Sequence, residues 1–316
     1  MQKRKLGRSG IEVPPICLGG NVFGWTIDEQ ASFKVLDQAA DRGLTFIDTA
    51  DVYSRWAPGH QGGESETILG KWMKQRGNRE RIVLATKVGM DMGDGNQGLS
   101  KKHIVASIDD SLRRLQTDRV DLYQAHKDDK ETPLAETLQA FAELINAGKV
   151  RTIGASNYTG ARLEEALDTS SREGLPRYES LQPEYNLYDR KDYEADLEAV
   201  CEENDVGVIS YYSLASGFLS GKYRSESDLA QSQRGQSVKK RLNERGFRIL
   251  RALDTVARQH QSQQAAVALA WLVARPSITA PIASATSAHQ VESLAAAAEL
   301  NLTGEEIGQL DEASAE

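Results

Sequence analysis

Cysteine is nearly missing from this chain: Cys17 and Cys201 are the only two in 316 residues. Two cysteines cannot build a disulfide framework, and neither stands in a Cys/His spacing that holds a metal. Both fall on predicted strand and helix faces, where a thiol acts as a small apolar side chain. A reducing, cytoplasmic setting without metal is therefore expected. Positive charge is also short, with 38 Lys and Arg against 46 Asp and Glu, a net charge of −8, and no long basic run. That argues against nucleic acid or an anionic membrane as the main partner. No apolar run nears the ~20 residues that span a bilayer. The start, Met1-Gln2-Lys3-Arg4-Lys5, leads into no apolar signal segment. No low-complexity stretch, fixed-period repeat or composition break divides the chain, so one domain over 1–316 is expected.

What the chain does have is a regular beat. Residues 3–14 suit a small hairpin turning at Arg8-Ser9-Gly10. Short apolar strands are then expected at 16–19, 44–48, 82–86, 120–125, 150–154, 179–182, 206–211 and 278–282. Helical patterns lie between them near 28–42, 64–76, 100–115, 133–147, 159–173, 192–204, 247–274 and 288–299. Ser100 suits a helix start, and Gly148 and Asn204 with Gly207 suit helix ends. Strands this apolar are buried on both faces. Eight strand–helix units predict an α/β fold, a (β/α)8 TIM barrel, with a doubly wound open sheet as the alternative. Two long connections, 49–63 and 212–246, follow strands and are the natural builders of a site or a lid.

A dinucleotide-like string, Gly93-Asp94-Gly95-Asn96-Gln97-Gly98, matches G-x-G-x-x-G. It begins several residues after its strand instead of turning straight into a helix, so it reads as a loop.

The stronger signal lies at three strand ends. Thr45-Phe46-Ile47-Asp48 runs on to Tyr53, Ala85-Thr86 ends in Lys87, and Tyr123-Gln124-Ala125 ends in His126. Alone, Asp48 suits a cap, Tyr53 packing, and Lys87 a solvated strand end. Together they form a proton-donating group. A buried lysine favours the phenolate and lowers a phenol from about 10. An aspartate keeps the lysine charged, and a histidine orients a carbonyl. Such a site can protonate an alkoxide as hydride arrives.

On these residues the chain resembles the aldo-keto reductases, from about Leu6 to Leu310. The resemblance implies catalytic roles for Asp48, Tyr53, Lys87 and His126, with Tyr53 as general acid. It implies a nicotinamide cofactor, no metal, and reduction of an aldehyde or ketone to an alcohol. Ser156 and Asn157 match the pair that holds the nicotinamide carboxamide, although both also suit a helix N-cap. Gln182 matches a third contact to that amide, Tyr211 an aromatic stacked on the ring, and Asn21 a further cofactor contact. Leu214, Ser216, Gly217 and Lys222 resemble the loop around the pyrophosphate. Where the resemblance places an adenosine 2′-phosphate, this chain offers Ser284, Thr286 and Gln290, without a cation. NADP(H) is expected, with Arg234 or another cation of 222–245 supplying charge, and NAD(H) is the alternative. Phe23, Trp25 and Trp56, with residues near Lys127 to Lys130, are candidates for the substrate wall. Two other roles share these residues: a nucleotide-sensing accessory subunit of a membrane channel, and a sugar or alcohol dehydrogenase working oxidatively. Substrate, direction, oligomeric state and the role of Tyr212 are not legible.

Overall fold

An antiparallel hairpin opens the chain, β1 (Arg4–Lys5) with β2 (Glu12–Val13). The structure is a computed structural model and describes residues 1–93, 95–231 and 235–316. After the hairpin come β3 (Cys17–Gly19), α1 (Glu29–Asp41), β4 (Phe46–Asp48), α2 (Glu64–Arg76), β5 (Val83–Val88) and α3 (Lys101–Leu115). The alternation continues with β6 (Val120–Ala125), α4 (Leu134–Asn146), β7 (Val150–Ser156), α5 (Gly160–Glu173), β8 (Tyr178–Gln182) and α6 (Glu198–Glu203). It ends with β9 (Gly207–Val208), α7 (Gly235–Val238), α8 (Glu244–Gln259), α9 (Gln264–Val273), β10 (Ile282–Ala283), α10 (Ala288–Ala297) and α11 (Gly304–Ser314).

The eight parallel strands run in the order β10-β3-β4-β5-β6-β7-β8-β9. The sheet then closes on itself. Thr279 N–H donates to the Val208 carbonyl at 2.8 Å and Ile282 N–H to the Ser210 carbonyl at 2.8 Å. Closure removes the free edges and makes the expected (β/α)8 barrel.

Alternation along the strands sorts the interior. Cys17, Phe46, Ala85, Leu122, Ile209 and Ala280 form one buried apolar cluster with Leu6, Ile11 and Val13 of the hairpin. The hairpin thus plugs the end of the barrel where strands begin. Moving two residues along a strand keeps a side chain on the same face. Phe46 is therefore followed inward by Asp48, Ala85 by Lys87, and Leu122 by Gln124. The lumen changes from apolar to polar within one step, at the end where strands finish. A larger cluster packs between the strands and the ring of helices, with Trp72, Tyr123, Phe141, Tyr178 and Trp271 among its bulkiest members.

Four expectations need correction. The strand at 206–211 is regular only over Gly207–Val208, because Pro183 on the neighbouring strand has no N–H to continue the ladder. Pro281 similarly shortens 278–282 to Ile282–Ala283. The helix at 247–274 is two helices, parted at 260–263 with Gln261 left-handed at φ 48°. Within 192–204 the chain makes a π turn at Tyr193–Leu197 before α6. Helix α11 was not expected at all, although Thr303 and Glu306 form a capping box at its start.

Candidate active site

Asp48, Lys87 and Tyr53 meet at the polar end of the lumen. Lys87 is fully buried and Asp48 is 1% exposed. Lys87 Nζ donates to Asp48 Oδ2 at 2.5 Å, to the Thr49 carbonyl at 2.8 Å and to the Tyr53 hydroxyl oxygen at 2.8 Å. All three N–H donors of the ammonium are thereby used. The Tyr53 hydroxyl also lies 3.4 Å from Asp48 Oδ2, a long contact. With its oxygen already accepting from Lys87, the phenol has its own proton left to give.

Burial lowers a lysine, but Asp48 and then Tyr53 reverse this and hold Lys87 above its ordinary value. Tyr53 differs from the expectation. Lys87 does lower it, yet burial outweighs that pull, and the phenol is pushed up to about 12. The group is therefore a phenol at neutral pH, the form a proton donor needs. His126 is held well below its ordinary value by burial, Lys87 and Lys127, so its ring is neutral. Its Nδ1 is buried without a partner among the described residues, which leaves Nε2 as the nitrogen facing the cleft. The His126 ring meets Tyr53 edge-on at 6.0 Å.

The second oxygen of Asp48 is held separately. Gln124 Nε2 donates to Oδ1 at 3.0 Å and Gln182 Nε2 at 3.1 Å. Ser156 Oγ donates to the Gln182 carbonyl, and Asn157 Nδ2 to the His126 carbonyl and Ser156 Oγ. Neither residue caps α5; Thr159 does. Asn157 is left-handed at φ 57°, and its Oδ1 accepts from the Tyr211 hydroxyl at 2.8 Å. Tyr211 meets the half-exposed Tyr212 edge-on at 5.2 Å.

The aromatic wall assembles around Tyr53. Trp56 stands edge-on to Trp25 at 5.6 Å and to Tyr53 at 5.9 Å, and is 51% exposed. Phe23, by contrast, is fully buried in the core and supports this loop, with its carbonyl accepting from Ser54 Oγ. Near Lys127, Asp128 accepts from Arg162 and Asp129 from Leu99 N–H and Thr132. Asp128 thus ties its loop to α5, and Asp129 ties it to the segment before α3.

Ser284 Oγ donates to Asn21 Oδ1 at 2.6 Å, and Thr286 donates through its N–H and hydroxyl to Gln290 Oε1. Lys222 Nζ lies 5.0 Å over the Tyr223 ring, and a Cβ added at Gly217 would stand 3.6 Å from it. Ser216 and Gly217 are both left-handed, at φ 59° and 92°. Leu214 packs partly buried on the core. Arg234 lies outside the described residues. Of the string from Gly93 to Gly98, Asp94 lies outside the described residues; residues 95–98 form no strand or helix, and Ser100 caps α3 after them.

Two residues went unnoticed in the sequence. Gln124 sits two positions before His126 on the same strand face, which alternation alone could have shown. Arg241, 3% exposed, binds Asp189 Oδ2 at 2.6 Å and approaches Glu184 at 3.7 Å, so it anchors the 212–246 connection near its end.

A family model for the aldo/keto reductase family matches residues 15–315. The chain belongs to that family. It is similar to an uncharacterized oxidoreductase, YrpG, of Bacillus subtilis, at 34% identity over 99% of this chain and 95% of that protein. It is similar to the L-glyceraldehyde 3-phosphate reductase of Escherichia coli K12, at 31% identity over 99% of this chain and 92% of that protein. A probable voltage-gated potassium channel subunit beta of Oryza sativa is 32% identical over 92% of this chain and 89% of that protein. Among the described residues, no helix is long and apolar enough to cross a membrane, and no cluster of three His, Cys, Asp or Glu could hold a metal.

In this chain the loop that carries Tyr53 rests on a buried acid. Asp51 is 2% exposed, and its Oδ2 has no partner among the described residues. Burial, then Glu66, pushes the carboxyl up to about 8. A folded value above the unfolded 3.8 means that folding takes up a proton, so stability falls as pH rises from about 4 to about 8. Asp51→Asn removes that penalty. Its stability gain over wild type should grow across this window by at most about 1.4 kcal/mol per pH unit and then level off. Urea midpoints at pH 5, 7 and 9 measure it; a gain that is the same at all three would contradict the raised value.

Proposed function

We propose that this protein is a cytoplasmic carbonyl reductase that uses NADPH, with Tyr53 as its general acid. The observation that carries the reading is the Tyr53 phenol, which receives a bond from Lys87 while keeping its own proton. Two buried cysteines free of any disulfide suit the cytoplasmic setting.

The residues present fit a nicotinamide dinucleotide. Among the described residues no hydrogen bond reaches Gln182 Oε1, so it can accept from a carboxamide N–H. Ser156, Asn157 and Tyr211 surround the same position. Left-handed Ser216 and Gly217 make a tight turn beside Lys222, whose ammonium can meet an anion there; the Gly217 N–H is itself spent on the Leu214 carbonyl. When bound, the nicotinamide supplies the hydride. Neutral His126 donates from Nε2 to the carbonyl oxygen and sets its direction. Tyr53 passes its proton to that oxygen as charge develops, and Lys87 stabilises the phenolate left behind. Asp48 keeps Lys87 charged. Trp25 and Trp56 form the wall on which an apolar or sugar face of the substrate rests.

NADPH is the favoured cofactor, although Ser284, Thr286 and Gln290 bring no charge to the 2′-phosphate, and NADH is the alternative. Titrations with NADPH and NADH, followed by quenching of the four tryptophans, test this directly. Tighter NADPH binding supports the reading and requires a cation from 222–245. Equal or tighter NADH binding shifts the reading to a dehydrogenase working oxidatively. The similarity to a channel subunit keeps one further reading, a nucleotide sensor. Cofactor binding with no turnover of any aldehyde or ketone would favour it.

A further inference from the structure

Asp48 has two oxygens, and the acid group uses one of them. Oδ2 takes Lys87 and faces Tyr53. Oδ1 takes two amide donors, from Gln124 and Gln182. The two amides also bond each other, Gln182 Nε2 donating to Gln124 Oε1 at 3.0 Å. Gln124 is fully buried and Gln182 is 3% exposed.

An amide nitrogen has two N–H groups. Those of Gln182 are spent on Asp48 and Gln124, which leaves its Oε1 facing the cleft purely as an acceptor. The roll of the Gln182 amide is therefore set by Asp48 and Gln124 together. The barrel makes room for this crossing. Gln124 stands in register with Lys87 on one side and Gly154 on the other. A Cβ at Gly154 would come within 3.3 Å of Gln124 Cγ and 2.2 Å of Ser180 Oγ. Glycine there lets the Gln124 side chain reach over β7 to β8.

We propose that Gln124 is a positioning residue that joins the cofactor-amide acceptor Gln182 to the acid group Asp48–Lys87–Tyr53 as one hydrogen-bonded unit. The inference rests on the proposed function, since it deepens the same site. Removing Gln124 has two consequences that follow from different bonds. Gln182 loses one of the two acceptors that fix its roll, so the cofactor amide meets an amide held by Asp48 alone. Asp48 Oδ1 loses a donor dipole, so the field of Asp48 at Tyr53 becomes more negative and its phenol harder to ionise.

The test uses the full chain as wild type, Gln124→Leu, Gln182→Leu and the double variant. Each is titrated with whichever of NADPH or NADH the wild type binds. The pH profile of kcat/KM is then taken with 4-nitrobenzaldehyde. Each single substitution should weaken cofactor binding on the order of tenfold, and the double should be no weaker than Gln182→Leu. In Gln124→Leu the alkaline limb of the profile should move to higher pH. A merely structural role moves neither the limb nor the additivity. Gln124→Glu supplies an isosteric check if the leucine variant does not fold. At low pH its protonated carboxyl can still donate to Asp48, so cofactor affinity should approach the wild-type value and fall as pH rises.

Losses that add in the double variant overturn the inference, as does a folded Gln124→Leu with wild-type affinity and pH profile. A pH-independent affinity in Gln124→Glu overturns it too. A wild type that binds cofactor but reduces no carbonyl would bring down the proposed function alone, because the binding measurements still decide the role of Gln124.

Discussion

Tyr53→Phe should lower carbonyl reduction by roughly 10²–10⁴-fold while cofactor affinity stays within twofold, about the scatter of such titrations. The substitution takes away one oxygen and one proton. The ring remains, with Trp56 at 5.9 Å and His126 at 6.0 Å, so the wall of the cleft keeps its shape. Lys87 loses one of three acceptors but keeps Asp48 and the Thr49 carbonyl. The loss should therefore appear in turnover and not in binding. It should also erase the alkaline limb of the pH profile, since the group that ionises is gone. Steady-state kinetics beside a fluorescence titration of the same preparation measures both. A phenylalanine variant that reduces an aldehyde at the wild-type rate would move the acid role elsewhere.

Arg114→Leu should cost about 3–5 kcal/mol of stability. Glu66 is fully buried on α2, and Arg114 Nε donates to its Oε2 at 2.7 Å. Thr86 donates to the other oxygen at 2.6 Å. Without the guanidinium, Glu66 is a buried charge beside the acid Asp51, and Arg114 is one of the groups that holds Asp51 down. The stem of Arg114 also lies on Gly63, where an added Cβ would come within 2.4 Å of its Cδ. Chemical denaturation of Arg114→Leu and of Arg114→Leu with Glu66→Gln separates the terms. The second change should restore part of the loss by removing the stranded charge. An exposed pair such as Lys71–Glu29 contributes no more than about 1 kcal/mol. A similarly small effect for Arg114→Leu would overturn this account of the buried pair.

Much of the barrel was legible because strands such as 120–125 are short, apolar and regularly spaced. The convergence of Asp48, Tyr53, Lys87 and His126 was legible because each ends or follows such a strand, and alternation aims strand-end residues inward. The expected hairpin was legible for another reason, the turn residues between two short extended runs. What failed had a common origin in partners far along the chain. Whether 206–211 forms a regular ladder depends on Pro183 opposite, and whether 278–282 does depends on Pro281. The break at 260–263 carries neither Gly nor Pro, and both flanking segments are good helices, so periodicity ran straight through it. The Asp48 clamp was hidden in the same way: Gln124 looked like one more strand residue until Gln182 stood opposite. The raised phenol of Tyr53 could not be read at all. A residue type tells which neighbours pull on it, but not how much water has been removed.

Barrel closure has a consequence for the chain as it is made. Strand β3 is complete by Gly19, yet the strand that covers its other side, β10, begins at Ile282. The ribosome must add roughly 260 residues in between, which takes on the order of 15–50 seconds at about 5–20 residues per second. For all that time the nascent chain offers an uncovered row of N–H and C=O groups at one end of a growing sheet. Completing the last few strand residues therefore protects the newborn polypeptide from its neighbours, and a ribosome stalled before codon 282 would release a sheet still able to pair with another copy.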